Sequence, residues 1–413
     1  MAFYKTFDNG LRLVVQKIEG LMSVSIGVLV KTGSINETEA ENGISHFIEH
    51  NLFKGTEKRS AFEISDHVDR IGGQINAFTS KELTCYYTKV TSDHTEESLE
   101  ILSDIFFNSV FDDKEMEKEK GVIIEEINMS EDSPEDICLD LLAESFYGKE
   151  GLGRTILGSA KNVKSFTKAD VLAYMDKYYT ADNVVISVAG NVDEKAVEEL
   201  VNKYFAQNFK RLKSAPQVKT KKTYSGNLIK TKKIEQAHIG FCMSAPSIND
   251  SRTDAISLSN LILGGGMSSR LFQRVREELG LCYSVYSYVS QYKDSGVIEI
   301  CGGVNINSRD LAVKEIIDVV NKFNRDGITE QEFLRGKEQM KSAFIMGQES
   351  TASQMLLYGK YLLVMEKEFD FKDRIEQIQK LTFKEVNDVV SELYRTDKMA
   401  VATVGPSKKR IKI

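Results

Sequence analysis

Apolar and polar residues alternate with period two over Leu11–Gln16 and Val24–Lys31, and β-branched side chains fill both stretches, so each predicts a strand. Helical spacing takes over from Asn42-Gly43 through Phe53 and again from Ala61 to Ile71. After Gly72-Gly73, the segments Gln74–Thr79 and Leu83–Val90 predict a hairpin turning at Ser80-Lys81-Glu82. Further helices are expected over Glu97–Phe107, Asp113–Met129, Ser133–Tyr147 and Lys168–Tyr179, with Ser133 as an N-cap and Pro134 at the first helical position. Strands open and close this unit while helices fill its middle. That order predicts an α+β class, with a mostly antiparallel β-sheet and helices packed mainly on one face.

The pattern occurs twice. VSIGVLVKTGSINET from Val24 parallels AHIGFCMSAPSINDS from Ala237, with Ile26-Gly27 and Ser34-Ile35-Asn36 recurring as Ile239-Gly240 and Ser247-Ile248-Asn249. TADNVVISVAGNVD from Thr180 parallels RTDKMAVATVGPSK from Arg395, so that Gly190 answers Gly405. The first match is displaced by 213 positions and the second by 215. Agreement at both ends of the unit predicts two duplicated homologous domains, not a short-period solenoid. The expected bounds are 1–208 for the first domain, 209–230 for a linker and 231–413 for the second. The joining stretch is polar and cation-rich (Lys210, Arg211, Lys213, Lys219, Lys221, Lys222, Lys230) and contains Pro216 and Gly226.

A chain of 413 residues with 41% hydrophobic content supports two full cores. The net charge of −7 lacks the cation excess that displaces counterions from phosphates, which argues against nucleic acid as a partner. No apolar run approaches the roughly 18 residues of a membrane span, and no cationic segment followed by an apolar block opens the chain. A soluble protein without membrane attachment or a cleavable leader is expected. The five cysteines are scattered and never in C-x-x-C spacing, so neither a disulfide framework nor a thiolate metal site is suggested, and a cytoplasmic location fits best.

Two of the five histidines fall in one pentapeptide, His46-Phe47-Ile48-Glu49-His50. On a helix, positions i and i+4 share a face, so both imidazoles can converge on one metal ion, while Glu49 lies beside that face where its carboxylate can reach an attacking water. This is H-x-x-E-H, the inverzincin order of the zinc-peptidase motif. A zinc site needs a third protein ligand. The helix Asp113–Met129 offers Glu119 and Glu126, seven residues apart on a common face beside Val122, Ile123 and Ile124. Spacing alone does not choose between a ligand and a solvated carboxylate for either.

HFIEH followed by LFKGT, then IGGQINAFTSKELTCYY, then EKEKGVIIEEI, resembles the pitrilysin/insulinase family of zinc metallopeptidases over essentially the whole chain, including the doubling. It is most similar to the short branch of about 400 residues that includes bacterial processing peptidases and the β subunit of the mitochondrial processing peptidase. The resemblance implies one zinc per chain held by His46, His50 and Glu126, with Glu119 in support and Glu49 as general base to the water that zinc activates. Asn51 departs from the pattern, since relatives usually carry Met there, and altered packing is the expected consequence. In the second copy a shift of 213 sets Ser259, Ile262 and Leu263 opposite His46, Glu49 and His50, so that copy has no zinc ligands at the equivalent place. It carries instead GGGMSSRLFQRVREELGLCYSVYS. There the resemblance implies that Arg276 orients substrate and Tyr283 stabilises the developing oxyanion. It also implies that Asn76, Ala77 and Phe78 form a substrate-binding edge. From the residues alone, Arg276 in an ion-pair array and an ordinary strand at Asn76–Phe78 remain open.

The function so implied is zinc-dependent endopeptidase cleavage of unfolded oligopeptides or presequence-like segments inside a chamber. Members of this length work as pairs, so a homodimer is expected, with Arg276 and Tyr283 of one chain acting in trans at the site of the other. The alternatives are a non-catalytic scaffold or partner subunit of the same fold, and a zinc hydrolase for a dedicated non-peptide amide.

Overall fold

The computed structural model describes residues 2–209, 215, 216, 218, 220 and 223–411. Within the expected linker, residues 210–214, 217, 219, 221 and 222 lie outside the described residues. The first repeat runs β1 (Phe3–Thr6), β2 (Arg12–Lys17), β3 (Ser23–Val30), α1 (Ile44–Asn51), α2 (Ala61–Arg70), β4 (Gln74–Thr79), β5 (Thr84–Thr91), α3 (Thr95–Asn108), α4 (Asp113–Asp132), α5 (Pro134–Tyr147), α6 (Ala160–Ser165), α7 (Lys168–Tyr178), β6 (Val184–Gly190) and α8 (Glu194–Tyr204). The second runs β7 (Asn227–Thr231), β8 (Gln236–Ala245), α9 (Thr253–Gly264), a π-helical turn Phe272–Glu278, β9 (Cys282–Gln291), β10 (Gly296–Asn305), α10 (Arg309–Asp326), α11 (Glu330–Gly347), α12 (Thr351–Lys360), α13 (Phe371–Lys380), α14 (Phe383–Leu393) and β11 (Ala400–Gly405).

The duplication is visible in the sheets. One has the order β1-β2-β6-β3-β5-β4, the other β7-β11-β8-β10-β9. With β1 set aside, the second order is the first repeated strand for strand. In each sheet one pair is parallel, β2 with β6 and β7 with β11, and the other pairs are antiparallel.

Strand alternation assigns the two faces. In β3, Val24, Ile26, Val28 and Val30 enter one apolar core together with Phe47, Ile48, Leu102 and Ile123 from the helices. In β8, Ala237, Ile239, Phe241 and Met243 enter the other, with Ile256, Ile262, Ile316 and Val390. The helices therefore lie mainly on one face, as the alternation predicts, and on the opposite face of each sheet one helix packs against three neighbouring strands.

The compact units explain where that covering helix comes from. One consists of Met1–Ile127, Thr155–Val218 and Ile345–Phe371, the other of Asn128–Arg154, Lys219–Phe344 and Lys372–Ile413. Helix α12, from the second repeat, thus belongs to the first unit and packs on β2, β3 and β6, while α5, from the first repeat, packs on β7, β8 and β11. The repeats exchange equivalent helices. Ser25 and Thr351 hydroxyls meet at 2.8 Å, and Ser187 Oγ donates to the Met355 carbonyl at 2.7 Å. The recurring glycine of the Ile-Gly pair is what lets the helix approach. A Cβ on Gly27 would lie 2.3 Å from Met355 Sδ, and one on Gly240 3.0 Å from Leu142 Cδ2. With both faces covered, β6 and β11 are buried along their full length, which is why they read as near-continuous apolar runs.

Candidate active site

Helix α1 buries Ile44, Phe47 and Ile48 in the first core and turns His46, Glu49 and His50 to the other side. Its N-terminus is held by Glu37, whose carboxylate accepts from the backbone N–H of Gly43 at 2.8 Å and of Ser45 at 3.0 Å, and from Asn42 Nδ2 at 2.9 Å. Burial pushes the Glu37 carboxyl up, and these donors oppose the shift. In α4, Met116, Glu119 and Ile123 share the buried face, and Glu126 continues that stripe to a half-exposed position.

The two helices bring three donor atoms to one point. His46 Nε2 and His50 Nε2 are 3.2 Å apart, and each lies 3.6 Å from Glu126 Oε2. Among the described residues, His46, His50 and Glu126 form the one group of at least three His, Cys, Asp or Glu side chains able to hold a metal ion, their ligand atoms all lying within 4.8 Å of one another. Glu119 does not join them. Its Oε1 accepts from His50 Nδ1 at 2.8 Å, and its Oε2 pairs with Lys54 Nζ at 2.7 Å. Burial works to raise the Glu119 carboxyl, but the bonds from His50 and Lys54 outweigh it and hold the group below the usual carboxylate range.

The donor set fits zinc. With Nδ1–H given to an ionised Glu119, the His50 lone pair is on Nε2 and faces the shared point. Burial, with a smaller contribution from the neighbouring His50, lowers the His46 pKa to about 4, so this imidazole is neutral at pH 7. Two imidazole nitrogens and one carboxylate oxygen, brought this close, are complementary to a divalent cation and to the N/O ligand sets of catalytic zinc sites. His46 Nδ1 is buried and has no hydrogen-bond partner among the described residues, so the two imidazoles are unequally supported.

Glu49 stands apart from the ligand atoms. Its Oε2 accepts from Thr79 Oγ1 at 2.5 Å, and burial raises its carboxyl above the ordinary range against the lowering effect of that bond. A base lifted in this way accepts a proton more readily near neutral pH. Asn51, the departure from the motif, is buried. Its Nδ2 donates to the Phe47 carbonyl at 2.7 Å, and its Oδ1 has no partner among the described residues.

Asn76, Ala77 and Phe78 lie on β4, the last strand of the six-stranded sheet, and pair on one side with Tyr87, Tyr86 and Cys85. The Ala77 N–H is taken by the Asn76 side-chain oxygen at 2.8 Å. In the second unit, Arg276 and Tyr283 are brought together. The Arg276 guanidinium lies 4.6 Å from the Phe272 ring centre and 5.0 Å from that of Tyr283. Gly303 opposes Ser284 and Val304 opposes Cys282, which makes Tyr283 the extra residue of a β-bulge. The bulge leaves the Tyr283 side chain 78% exposed. The positions facing His46, Glu49 and His50 in the repeat are core residues: Ser259, Ile262 and Leu263 are all buried in α9, and Ser259 Oγ meets Tyr394 Oη at 2.8 Å.

Thr79, Lys54 and Glu37 went unnoticed in the sequence. Thr79 could have been found from strand parity, since it shares a face of β4 with Ala77, which packs on the first core beside α1. Lys54 and Glu37 carry no comparable signal, because their partners are set by the crossing of α1 with α4 and by the loop that precedes α1.

Known proteins resemble this chain over nearly its whole length. Residues 12–160 match the family described as Insulinase (Peptidase family M16), and residues 165–340 match Peptidase M16 inactive domain. A protein named "Uncharacterized zinc protease YmxG" from Bacillus subtilis (strain 168) is 42% identical over 402 residues, covering 97% of this chain and 98% of its own. An "Uncharacterized zinc protease" from Rickettsia felis is 37% identical over 404 residues, covering 97% of each. A protease from Helicobacter pylori of known crystal structure superposes with a TM-score of 0.91 at 25% identity, over 98% of this chain and 99% of that one. The match of an inactive-domain description, which covers much of the second repeat, accords with Ser259 and Leu263 standing where the first repeat has His46 and His50.

Proposed function

The chain belongs to the insulinase family, peptidase family M16, and on that premise we propose that it is a zinc-dependent endopeptidase acting on unfolded peptides. One observation carries the reading: His46 Nε2, His50 Nε2 and Glu126 Oε2 converge on one point while Glu49, next to them on α1, stays outside the set. Zinc, when bound there, supplies Lewis-acid polarisation and lowers the pKa of water toward about 7. The chain's own residues do the rest. Glu49 takes a proton from the attacking water on its carboxylate and delivers it to the leaving amine, a role worth about 10²–10⁴ in rate. Glu119 holds His50 with its Nε2 unprotonated. The outer edge of β4 receives the extended peptide as an added strand, displacing the Asn76 side chain from the Ala77 N–H. Tyr283, projected by its bulge and stacked with Arg276, serves as the oxyanion donor in trans, in a homodimer.

The test is mass-spectrometric cleavage of a mixed panel of unstructured peptides by zinc-loaded wild type, by Glu49→Gln and by chelator-treated protein. Cuts that vanish in both controls are expected; a zinc-loaded wild type that makes no cuts sinks the peptidase reading in favour of a scaffold or a non-peptide hydrolase. Mixing Glu49→Gln with Tyr283→Phe tests the trans arrangement, and recovery of part of the activity is expected once subunit exchange is verified.

A further inference from the structure

We infer that Thr79 is a positioning residue for Glu49, tying the general base to the peptide-docking strand; the inference rests on the reading of Glu49 as the base. Among the described residues, Thr79 is the one hydrogen-bond partner of the Glu49 side chain. The direction of that bond is set by a chain of hydroxyls behind it. Thr84 Oγ1 donates its single hydrogen to the Thr32 carbonyl at 2.9 Å, and a carbonyl can only accept. Thr84 therefore has no hydrogen to offer across its 3.3 Å contact with Thr79 Oγ1, and the Thr79 hydrogen goes to Glu49 Oε2 at 2.5 Å. The arrangement leaves Glu49 Oε1 without a protein donor among the described residues, so one carboxylate oxygen is held and the other is available to the reacting proton.

The placement of Thr79 matters as much as its bond. It is the final residue of β4, directly after Asn76, Ala77 and Phe78, and among the described residues β4 has a paired neighbour on one side only. A peptide added to the outer edge of β4 is thus registered by the same strand whose last side chain fixes the base. Thr84, which backs Thr79, is its pairing partner across the hairpin and is fully buried, so the support comes from the rigid interior of the sheet. Loss of a partner of this kind typically costs about 10–100-fold in activity.

The experiment uses zinc-loaded full-length protein with Thr79→Val, which keeps the shape and removes the donor, and Thr79→Ser, which keeps the donor. The expected result for Thr79→Val is a fall in kcat of about 10–100-fold with KM and zinc stoichiometry unchanged. Thr79→Ser is expected to stay within about threefold of wild type. The double variant Glu49→Gln/Thr79→Val should be no worse than Glu49→Gln, because Thr79 acts through Glu49. A crystal structure of metal-free Thr79→Val should show the Glu49 carboxylate moved from its wild-type position. An unchanged kcat in Thr79→Val, a change confined to KM, or a Thr79→Ser variant as poor as Thr79→Val overturns the inference. If Glu49→Gln itself retains activity, it is the parent reading that fails. If Thr79→Val does not fold, Thr79→Ser together with Thr84→Val, which removes only the backing contact and the bond to Thr32, keeps the question decidable: loss of kcat in Thr84→Val with retention in Thr79→Ser supports it, and the reverse overturns it.

Discussion

Helices α1 and α9 hold the same place in two sheets whose strand orders match once β1 is set aside, yet one presents His46, Glu49 and His50 to a carboxylate while the other buries Ser259, Ile262 and Leu263. The contrast separates what the fold needs from what the chemistry needs. Each unit requires an apolar stripe on this helix, and α1 supplies it with Ile44, Phe47 and Ile48, whereas α9 uses Ile256, Ile262 and Leu263. No packing requirement accounts for two imidazoles and a carboxylate on the far side of α1, since the second unit folds without them. The polar residues of the first helix therefore answer no packing need that the two repeats share, and taking His50 and Glu49 out of water is tolerated because they bond to Glu119 and Thr79.

The sharpest way to break this comparison is at α4. Glu126→Gln should lower zinc affinity by at least about 100-fold, because a neutral amide is a poor substitute for a carboxylate ligand. Glu49→Gln should keep one zinc per chain, and metal analysis after dialysis against a weak chelator decides between the two. Equal retention in both variants would remove Glu126 from the ligand set.

Next in size is the matching change in the second unit. Ile262→Ala stands opposite Glu49 in the repeat and should cost about 2–5 kcal/mol through the cavity it leaves, while the kcat of the folded fraction stays near wild type. Urea denaturation paired with active-site titration is the measurement; a large fall in kcat per folded molecule would show that α9 takes part in the chemistry.

The exchanged helices predict a smaller asymmetry. Gly27→Ala must displace Met355 and should destabilise by about 1–3 kcal/mol, whereas Gly240→Ala meets only the tip of Leu142 and should cost less. The double variant Gly27→Ala/Met355→Ala should show a favourable coupling in a double-mutant cycle. Additive costs would mean that the helix, not the Met355 side chain, sets the clearance.

The smallest effect concerns acid stability of the second unit. Burial would raise the Glu332 carboxyl, but the bonds from Arg270 and Thr329 reverse this and bring it from 4.5 to about 2. A depressed carboxyl contributes stability that is complete above the unfolded value and is lost as pH falls from about 4.5 toward 2. Glu332→Gln should therefore cost roughly 1 kcal/mol at pH 7 and flatten the acid limb of a pH–denaturation profile below about 4.5. A limb unchanged in slope would assign the acid transition to other carboxylates.

Much of the element map was legible because periodicity is local. The hairpin expected at Gln74–Thr79 and Leu83–Val90 is β4 and β5, and the capped helix expected at Ser133–Tyr147 is α5 with Ser133 accepting from the Asp136 N–H. The destination of α5 was not legible. An amphipathic helix shows that it must cover an apolar surface but not which one, and α5 covers β8 and β11, strands encoded about a hundred residues or more downstream. The reason Gly27 recurs as Gly240 was hidden for the same cause, since the atoms that exclude a Cβ belong to the other repeat.

The sequence by itself determined the doubling, the kinds of element, and the His46-Glu49-His50 face, because each depends on spacings within a single helix, a single strand or one repeated motif. Only the tertiary structure decided that Glu126 meets the imidazoles while Glu119 turns to His50 Nδ1 and Lys54, that Thr79 holds Glu49, and that the repeats trade helices. Those outcomes depend on where segments distant in the chain cross, and a crossing is selected by side-chain packing over a whole core, which no local pattern records.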